Sequence, residues 1–347
     1  MYLFQCPTIF PLVCRIISKH QQAPVFHEAR GRAAAKLPPV HMDIYELLES
    51  EFFYCHFNFT YIGISASPQI SAIIPTKIFL KPHPTPPLKT HSPHLKSMQV
   101  LKLGGSVLTK KRGYLEPDNS GILSLAKMLS RTWKDGIKDI ILVHGAGSFG
   151  HPLVVKYSLN DGVKTEAQKL GAAKTHSACV RLSTLLVDAL CKEGVPAVSV
   201  PPAFLGKMKN RKLAAFNSKP VDDLLGLGYL PVLHGDMLPD SELGCAVCSG
   251  DQLVSWLGKN AERIILGTNV DGVCVDGKHI PEISQGNFEE VSAHFSKMEY
   301  ADVTGGMKGK IKELIGLGVP SYIVNALHPE RVESLLRGRS APSTLVK

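Results

Sequence analysis

The sequence is short of cysteine, of long apolar runs and of nucleotide-loop signatures, and each shortage excludes something. Eight cysteines in 347 residues are too few and too irregularly spaced for a disulfide scaffold, which fits a reducing compartment. No uninterrupted apolar run reaches about 18 residues, so a transmembrane helix is not expected. The pattern GxxxxGK[ST] does not occur, which excludes a Walker-type phosphate loop. No repeat of fixed period is present, and no cluster of carboxylates offers a metal cage built from protein alone. Apolar content is not lacking: 44% hydrophobic against 20% charged residues suffices for a real core and argues against a wholly disordered chain.

Glycine is almost missing from the first part of the chain. Only Gly31 and Gly63 of the 30 glycines precede Met98, whereas half of the 24 prolines do. The formal charge of +9, which invites a polyanionic partner, divides between these two unlike segments. Residues 1–97 and 98–347 therefore read as separate units. In the first, Asp43–Phe53 suits a short helix and Phe57–Ile64 a strand, and Pro82, Pro84, Pro86, Pro87 and Pro93 suit an extended linker. Arg15, Lys19, Arg30, Arg32 and Lys36 give its start the charge bias of an organellar leader. The plainer expectation is an unstructured extension, or upstream sequence ahead of a true start at Met98. A secretory signal fits poorly, because no basic stretch precedes the apolar run.

From Met98 onward, short apolar runs alternate with amphipathic stretches. Gln99–Leu103, Asp139–Val143, Ala197–Val200, Leu230–His234, Arg263–Gly267 and Ser321–Asn325 read as buried strands. Ile122–Trp133 and Gln168–Cys191 read as helices, the second stopped by Gly194. The alternation predicts an α/β fold with a largely parallel sheet. On the long helix, Leu170, Ala173, Ala178, Leu182 and Leu186 recur at helical spacing and are expected mostly in the core.

Four glycine clusters follow these strands or open helices: KLGGS (Lys102–Ser106), HGAGSFGH (His144–His151), SGD (Ser249–Asp251) and TGGMKGK (Thr304–Lys310). Each lets backbone approach a ligand closely and offers N–H groups where a helix dipole favours an anion. One such turn can be a mere strand–helix connection; four in one unit point to phosphate handling. Lys102, Lys111 and Lys310 stand beside these turns, and three cations converging on a transferring phosphoryl group would neutralise and align it. Gly145–Gly150 matches GxGxxG, but it follows the second strand and its histidines do not suit a dinucleotide fingerprint. Cys245 and Cys248 form C-x-x-C without a second ligand pair, and read as small residues packing before the SGD turn. His176 reads as a helix-face histidine. SGD also suits a helix N-cap using Ser249 or Asp251, and His151 a histidine capping its own helix.

The order KLGGSVLTKK, HGAGSFGHPLVVKY, VLHGD, SGDQL, TNVDGV and DVTGGMKGK resembles the amino acid kinase superfamily, and within it the isopentenyl phosphate kinase family, over residues 98 to about 340. The resemblance implies a three-layer αβα sandwich, usually homodimeric and cytoplasmic. Its N-terminal part would bind the phosphorylated acceptor and its C-terminal part ATP with Mg2+. The implied reaction is isopentenyl phosphate plus ATP giving isopentenyl diphosphate plus ADP. Carried over by motif, Lys102, Gly104, Gly105 and Ser106 would contact the ATP phosphates and Lys111 would bridge to the transferring group. Gly145 and Ala146 would contact the acceptor and Gly147 the ATP, with Ala146 and Gly147 in the turn between the two phosphates, and His151 would hold the acceptor phosphate and stabilise the transition state. Gly250 would touch the acceptor, and Asp251 would orient the lysines. Thr268, Asn269, Asp271 and Gly272 would line the nucleotide site, with Gly306 and Lys310 completing the clamp.

The sequence departs from that pattern at Ala146, where glycine is expected, and at Asn269, where aspartate is expected. A methyl at 146 is tolerable if φ is negative. The alternatives are a kinase for another small phosphate or phosphonate or for a related substrate of the amino acid kinase fold, a nucleic-acid-binding protein, and a sensor domain of the same fold without activity. The nucleic-acid reading lacks a recognisable motif, and the intact lysines and His151 speak against the sensor.

Overall fold

The computed structural model describes residues 97–110, 113–294 and 306–347. The elements, linker and leader expected before Ser97, and Lys111, lie outside the described residues.

The chain runs through β1 (Gln99–Leu103), α1 (Gly105–Leu108), α2 (Asn119–Lys134), β2 (Ile140–His144), α3 (Gly147–Lys156), α4 (Glu166–Lys192) and β3 (Ala197–Ser199). It continues with β4 (Gly206–Lys209), β5 (Lys212–Phe216), α5 (Lys219–Gly226), β6 (Leu230–His234), β7 (Asp236–Asp240), β8 (Gly244–Cys248) and α6 (Gly250–Leu257). The last part holds β9 (Arg263–Thr268), β10 (Val273–Val275), β11 (Lys278–Ile280), β12 (Glu282–Ile283), α7 (Phe288–Ala293), α8 (Gly306–Leu317), β13 (Ser321–Asn325), α9 (Pro329–Leu336) and β14 (Ser343–Val346).

Among the described residues, eight strands form the central sheet in the order β12-β14-β13-β9-β1-β2-β6-β3. All neighbours are parallel except β13 and β14. Such strands are buried on both faces, which is why they read as continuous apolar runs. Their two faces serve two cores. Leu101, Leu103, Ile140, Leu142, Leu230 and Val232 pack against α2, α3, α4 and α9. Val100, Ile141, Val143, Leu233, Ile264 and Leu266 pack against α5, α6, α8 and a smaller sheet. The result is three layers, αβα. The smaller sheet, order β5-β4-β7-β8, was not legible beforehand. Its β4–β5 hairpin turns on Asn210 and Arg211 at φ +46° and +66°, without the glycine that usually marks such a turn.

The long helix begins at Glu166, two residues before the expected start, because Thr165 and Gln168 form a reciprocal capping box. Its buried stripe also differs from the expected one. Ala178, Leu182 and Leu186 are buried, but Leu170 is 53% exposed and Ala173 is exposed. Gly171, Ala172 and Thr175 take the inner face there. The reason is room: a Cβ on Gly171 would lie 2.3 Å from the Tyr157 ring, so the first turns press too closely on α3's end for leucine.

His144 and His234 end adjacent strands as register partners. Both are fully buried, with ring centroids 5.5 Å apart. Each Nδ1–H donates to the carbonyl of the following glycine, at 3.1 and 3.2 Å. Neither Nε2 has a partner among the described residues, so nothing offsets the desolvation of a second proton. Burial pushes both rings down to about 4, helped at His234 by its neighbour His144.

The native state thus refuses two protons that the unfolded chain accepts below about pH 6.5. Stability carried by these rings is complete above that value and is lost as pH falls through it toward 4, on the order of 3 kcal/mol per histidine. Urea unfolding of the wild type should show this decline above the carboxylate range. A His144→Gln, His234→Gln variant should lose most of it, and a flat wild-type profile from pH 7 to 4.5 would refute it.

Candidate active site

Parallel strands offer their ligand crevice beyond their carboxyl ends, and here β1, β2, β6 and β9 end together. The ladder extends one residue past them. Gly104 N–H donates to Gly267 O at 2.8 Å, Gly145 N–H to Leu103 O at 2.9 Å, and Gly235 N–H to His144 O at 2.9 Å. The chain then turns into α1 and α3. The two turns touch: a Cβ on Gly105 would lie 2.2 Å from Gly147 N, and one on Gly145 would lie 2.6 Å from Gly105 N. Gly147 also takes φ +49°, where a side chain is strained. Ala146 has φ −78°, so alanine sits there unstrained.

A cavity of about 470 Å³ opens on these turns. Lys102, Gly104, Gly105, Ser106, Gly145, Ala146, Gly147, His151, Gly250, Asp251, Thr268, Asn269 and Lys310 all line it, so most of the residues singled out in the sequence meet in one place. Ser249 is the N-cap of α6, accepting from Gln252 N–H at 3.3 Å. That leaves the Asp251 carboxylate to lie between two cations. Lys102 Nζ is 2.5 Å from its Oδ1, and Lys310 Nζ is 3.7 Å from its Oδ2. All three side chains are at most a quarter exposed, where charges interact more strongly than in bulk water. At Gly250 a Cβ would meet only ordinary contacts, 3.4 Å and beyond. The protein alone does not require glycine there, and its absence of a side chain keeps the cavity open.

His151 stands at the fifth position of α3, exposed toward the cavity. The N-cap of that helix is Ala146, which makes no side-chain capping bond. Pro152 follows it inside the helix. Proline has no N–H to give the carbonyl four residues back, and that carbonyl, on Ser148, accepts instead from Leu115 N–H at 3.2 Å.

Two residues emerge that the sequence did not single out. Asp236, buried and lining the cavity, accepts from His176 Nδ1 at 2.9 Å, Met237 N–H at 2.8 Å and Ala203 N–H at 3.3 Å. His176 is therefore tied to the cavity wall rather than being a plain helix-face histidine. Thr109 also lines the cavity. Both lie inside quoted motifs, VLHGD and KLGGSVLTKK, and an aspartate two residues past a buried strand end was the available signal. Cys245 and Cys248 are free and three residues apart on β8, so they face opposite sides of the strand. Burial raises their thiols to about 11 and 12.

Two candidates stand apart. Asp271 does not line the cavity; its carboxylate is held by Arg331 and by Asn325 Nδ2 at 3.1 Å, which keep it below the usual carboxylate range. Gly272 has φ +137°, and a Cβ would strike His279 and Thr344 at 2.7 Å, a demand of the fold itself. Gly306 opens α8.

A model of the amino acid kinase family matches residues 97–323. An isopentenyl phosphate kinase of Methanothermobacter thermautotrophicus is 34% identical over 268 residues, which span 72% of this chain and 98% of that enzyme. One from Arabidopsis thaliana is 32% identical over 212 residues, 54% of this chain and 64% of that protein. A solved structure of isopentenyl phosphate kinase superposes with a TM-score of 0.62 at 31% identity, covering 72% of this chain and 100% of that one.

The Lys102–Asp251–Lys310 arrangement makes a prediction. Asp251→Asn keeps the shape and removes the charge that aligns both ammonium groups. Turnover should fall roughly 10- to 100-fold with the melting temperature little changed. Unchanged kcat would show that the carboxylate is only part of the helix start.

Proposed function

The chain belongs to the amino acid kinase family, alongside its isopentenyl phosphate kinases, and from that premise we propose that it phosphorylates isopentenyl phosphate with ATP. The observation that carries this reading is one cavity lined by two unlike sets of residues. One set is the glycine turns with Lys102, Lys310 and His151; the other is Val154, Met237 and Val247, which belong to a small apolar cluster with Leu159 and Ala172. The first set suits two phosphates and the second a short hydrocarbon tail. From the long helix it is Thr175 and Cys179 that reach this wall, not the leucines.

An oxygen of the acceptor phosphate attacks the γ-phosphorus of ATP. The bond from that phosphorus to the β–γ bridging oxygen breaks, and ADP leaves. The acceptor is already anionic, so no strong general base is needed. The difficulty is bringing anions together, which calls for fixed cations and N–H donors. Lys102 and Lys310 supply charge on the γ-phosphate, aligned by Asp251. Gly104, Gly105 and Ser106 cradle the donor phosphates at the start of α1. Gly145, Ala146, Gly147 and Gly250 border the acceptor, and His151 donates to its phosphate. Lys111 bridges toward the transferring group.

The acceptor thus rests on elements from β2 to the start of α6. Thr268 at the end of β9 and Asn269 after it, with Lys310 and Gly306 of α8, serve the nucleotide, and Asp271 and Gly272 shape the loop behind them. Among the described residues two carboxylates line the cavity, and both are already engaged: Asp251 by lysines and Asp236 by His176 and two N–H groups. Mg2+ accordingly arrives with ATP, held by phosphate oxygens and water. The family reading also makes the protein a cytoplasmic homodimer. Among the described residues no helix is long and apolar enough to cross a membrane.

The test is a coupled ADP-release assay on residues 98–347 with isopentenyl phosphate, dimethylallyl phosphate, UMP, carbamate and acetylglutamate. Turnover is expected on the isoprenoid phosphates; turnover only on UMP, carbamate or acetylglutamate would overturn the reading. His151→Ala should lose at least ~100-fold in kcat with the fold intact, and His151→Gln should keep part of it. Near-normal turnover in the alanine variant would remove His151 from the mechanism.

A further inference from the structure

The two glycine turns are tied by a side chain that carries no charge. Thr109 follows α1 and is 3% exposed. Its hydroxyl donates to Gly105 O at 2.7 Å and accepts from Ser148 N–H at 3.0 Å. One hydroxyl therefore joins the turn after β1 to the first turn of α3. Ser148 carries the tie further: its Oγ donates to Glu116 O at 3.1 Å. Where the turns meet there is no spare room, since a Cβ on Gly147 would lie 2.2 Å from Thr109 Oγ1.

We propose that Thr109 is a positioning residue, a latch that sets the separation between the donor-phosphate turn and the acceptor-phosphate turn. This rests on the reading of the cavity as a phosphoryl-transfer site. Contact between Gly105 and Gly147 fixes how near the turns can come; the Thr109 hydroxyl fixes how far apart they can drift. In-line transfer tolerates little slack, and a misplacement of about 1 Å costs on the order of 100-fold in rate. Each phosphate binds its own turn. A loosened latch therefore spares the binding of either ligand and lowers the rate at which the bound pair reacts. Thr109 acts through the backbone, not by touching the reacting atoms.

Thr109→Val keeps the shape and removes both bonds; Thr109→Ser restores the hydroxyl. In steady-state assays with isopentenyl phosphate and ATP, the valine variant should lose at least about tenfold in kcat, with KM for each ligand within about threefold of wild type. The serine variant should recover most of kcat. Thr109→Ala replaces valine if the valine variant fails to fold. Valine kcat within twofold of wild type, or equal losses in valine and serine, would overturn the latch. Because wild type is assayed alongside, failure of the acceptor assignment shows as no wild-type turnover, which differs from failure of the latch.

Discussion

The backbones of Gly105 and Gly147 touch so closely that nothing larger than a hydrogen fits between them. The rest of the site follows from that contact. It requires β1 and β2 to be register neighbours, Leu103 beside His144, so that both strands end at one level. It requires glycine on both sides, and the left-handed φ at Gly147 lets α3 start immediately beyond. Two helix starts are thereby aimed into one cavity from adjacent strands. A reaction between two phosphates needs that geometry, because each anion must be held by its own set of donors while the two are pressed together.

Charge is arranged with the same economy. The formal +9 of the chain suggests a polyanion when read as a total, yet it is spread over two unlike segments. What matters at the site is local. Lys102 comes from β1, Lys310 from α8 and Asp251 from the first turn of α6, three elements far apart in sequence. The carboxylate between them keeps two ammonium groups from repelling each other out of place when no phosphate is bound. Asp236 does analogous work on the other wall, fastening α4 and the Pro202–Phe204 turn through His176 and Ala203. The cavity is thus a set of strand and helix ends pinned by short polar ties.

Much of this was legible in the sequence, for identifiable reasons. Buried parallel strands are continuous apolar runs, so β1, β6 and β13 have the expected bounds. The glycine clusters after those runs line one cavity, and at Gly105, Gly145 and Gly147 the close backbone approach leaves no room for a side chain. A methyl at Ala146 needs only negative φ, and φ there is −78°. What escaped depends on partners distant in sequence. The hydroxyl of Thr109 and the carboxylate of Asp236 are ordinary residues until the fold brings Ser148 or His176 to them. Leu170 looked like core by periodicity, but the close pass of Gly171 against Tyr157 turned it outward. The β4–β5 hairpin hid because its turn is Asn-Arg rather than Asn-Gly.

On this reading donor and acceptor phosphates meet between the Gly104–Ser106 and Gly145–Gly147 turns. A crystal structure with isopentenyl phosphate and a non-hydrolysable ATP analogue would reveal where each phosphate sits. The acceptor phosphate is expected at Gly147 and His151, the γ-phosphate at Gly105 and Ser106 within reach of Lys102 and Lys310, and the tail against Val154, Met237 and Val247. An acceptor phosphate bound away from the Gly145–Gly147 turn, or a nucleotide whose γ-phosphate does not reach Lys102, would contradict the reading.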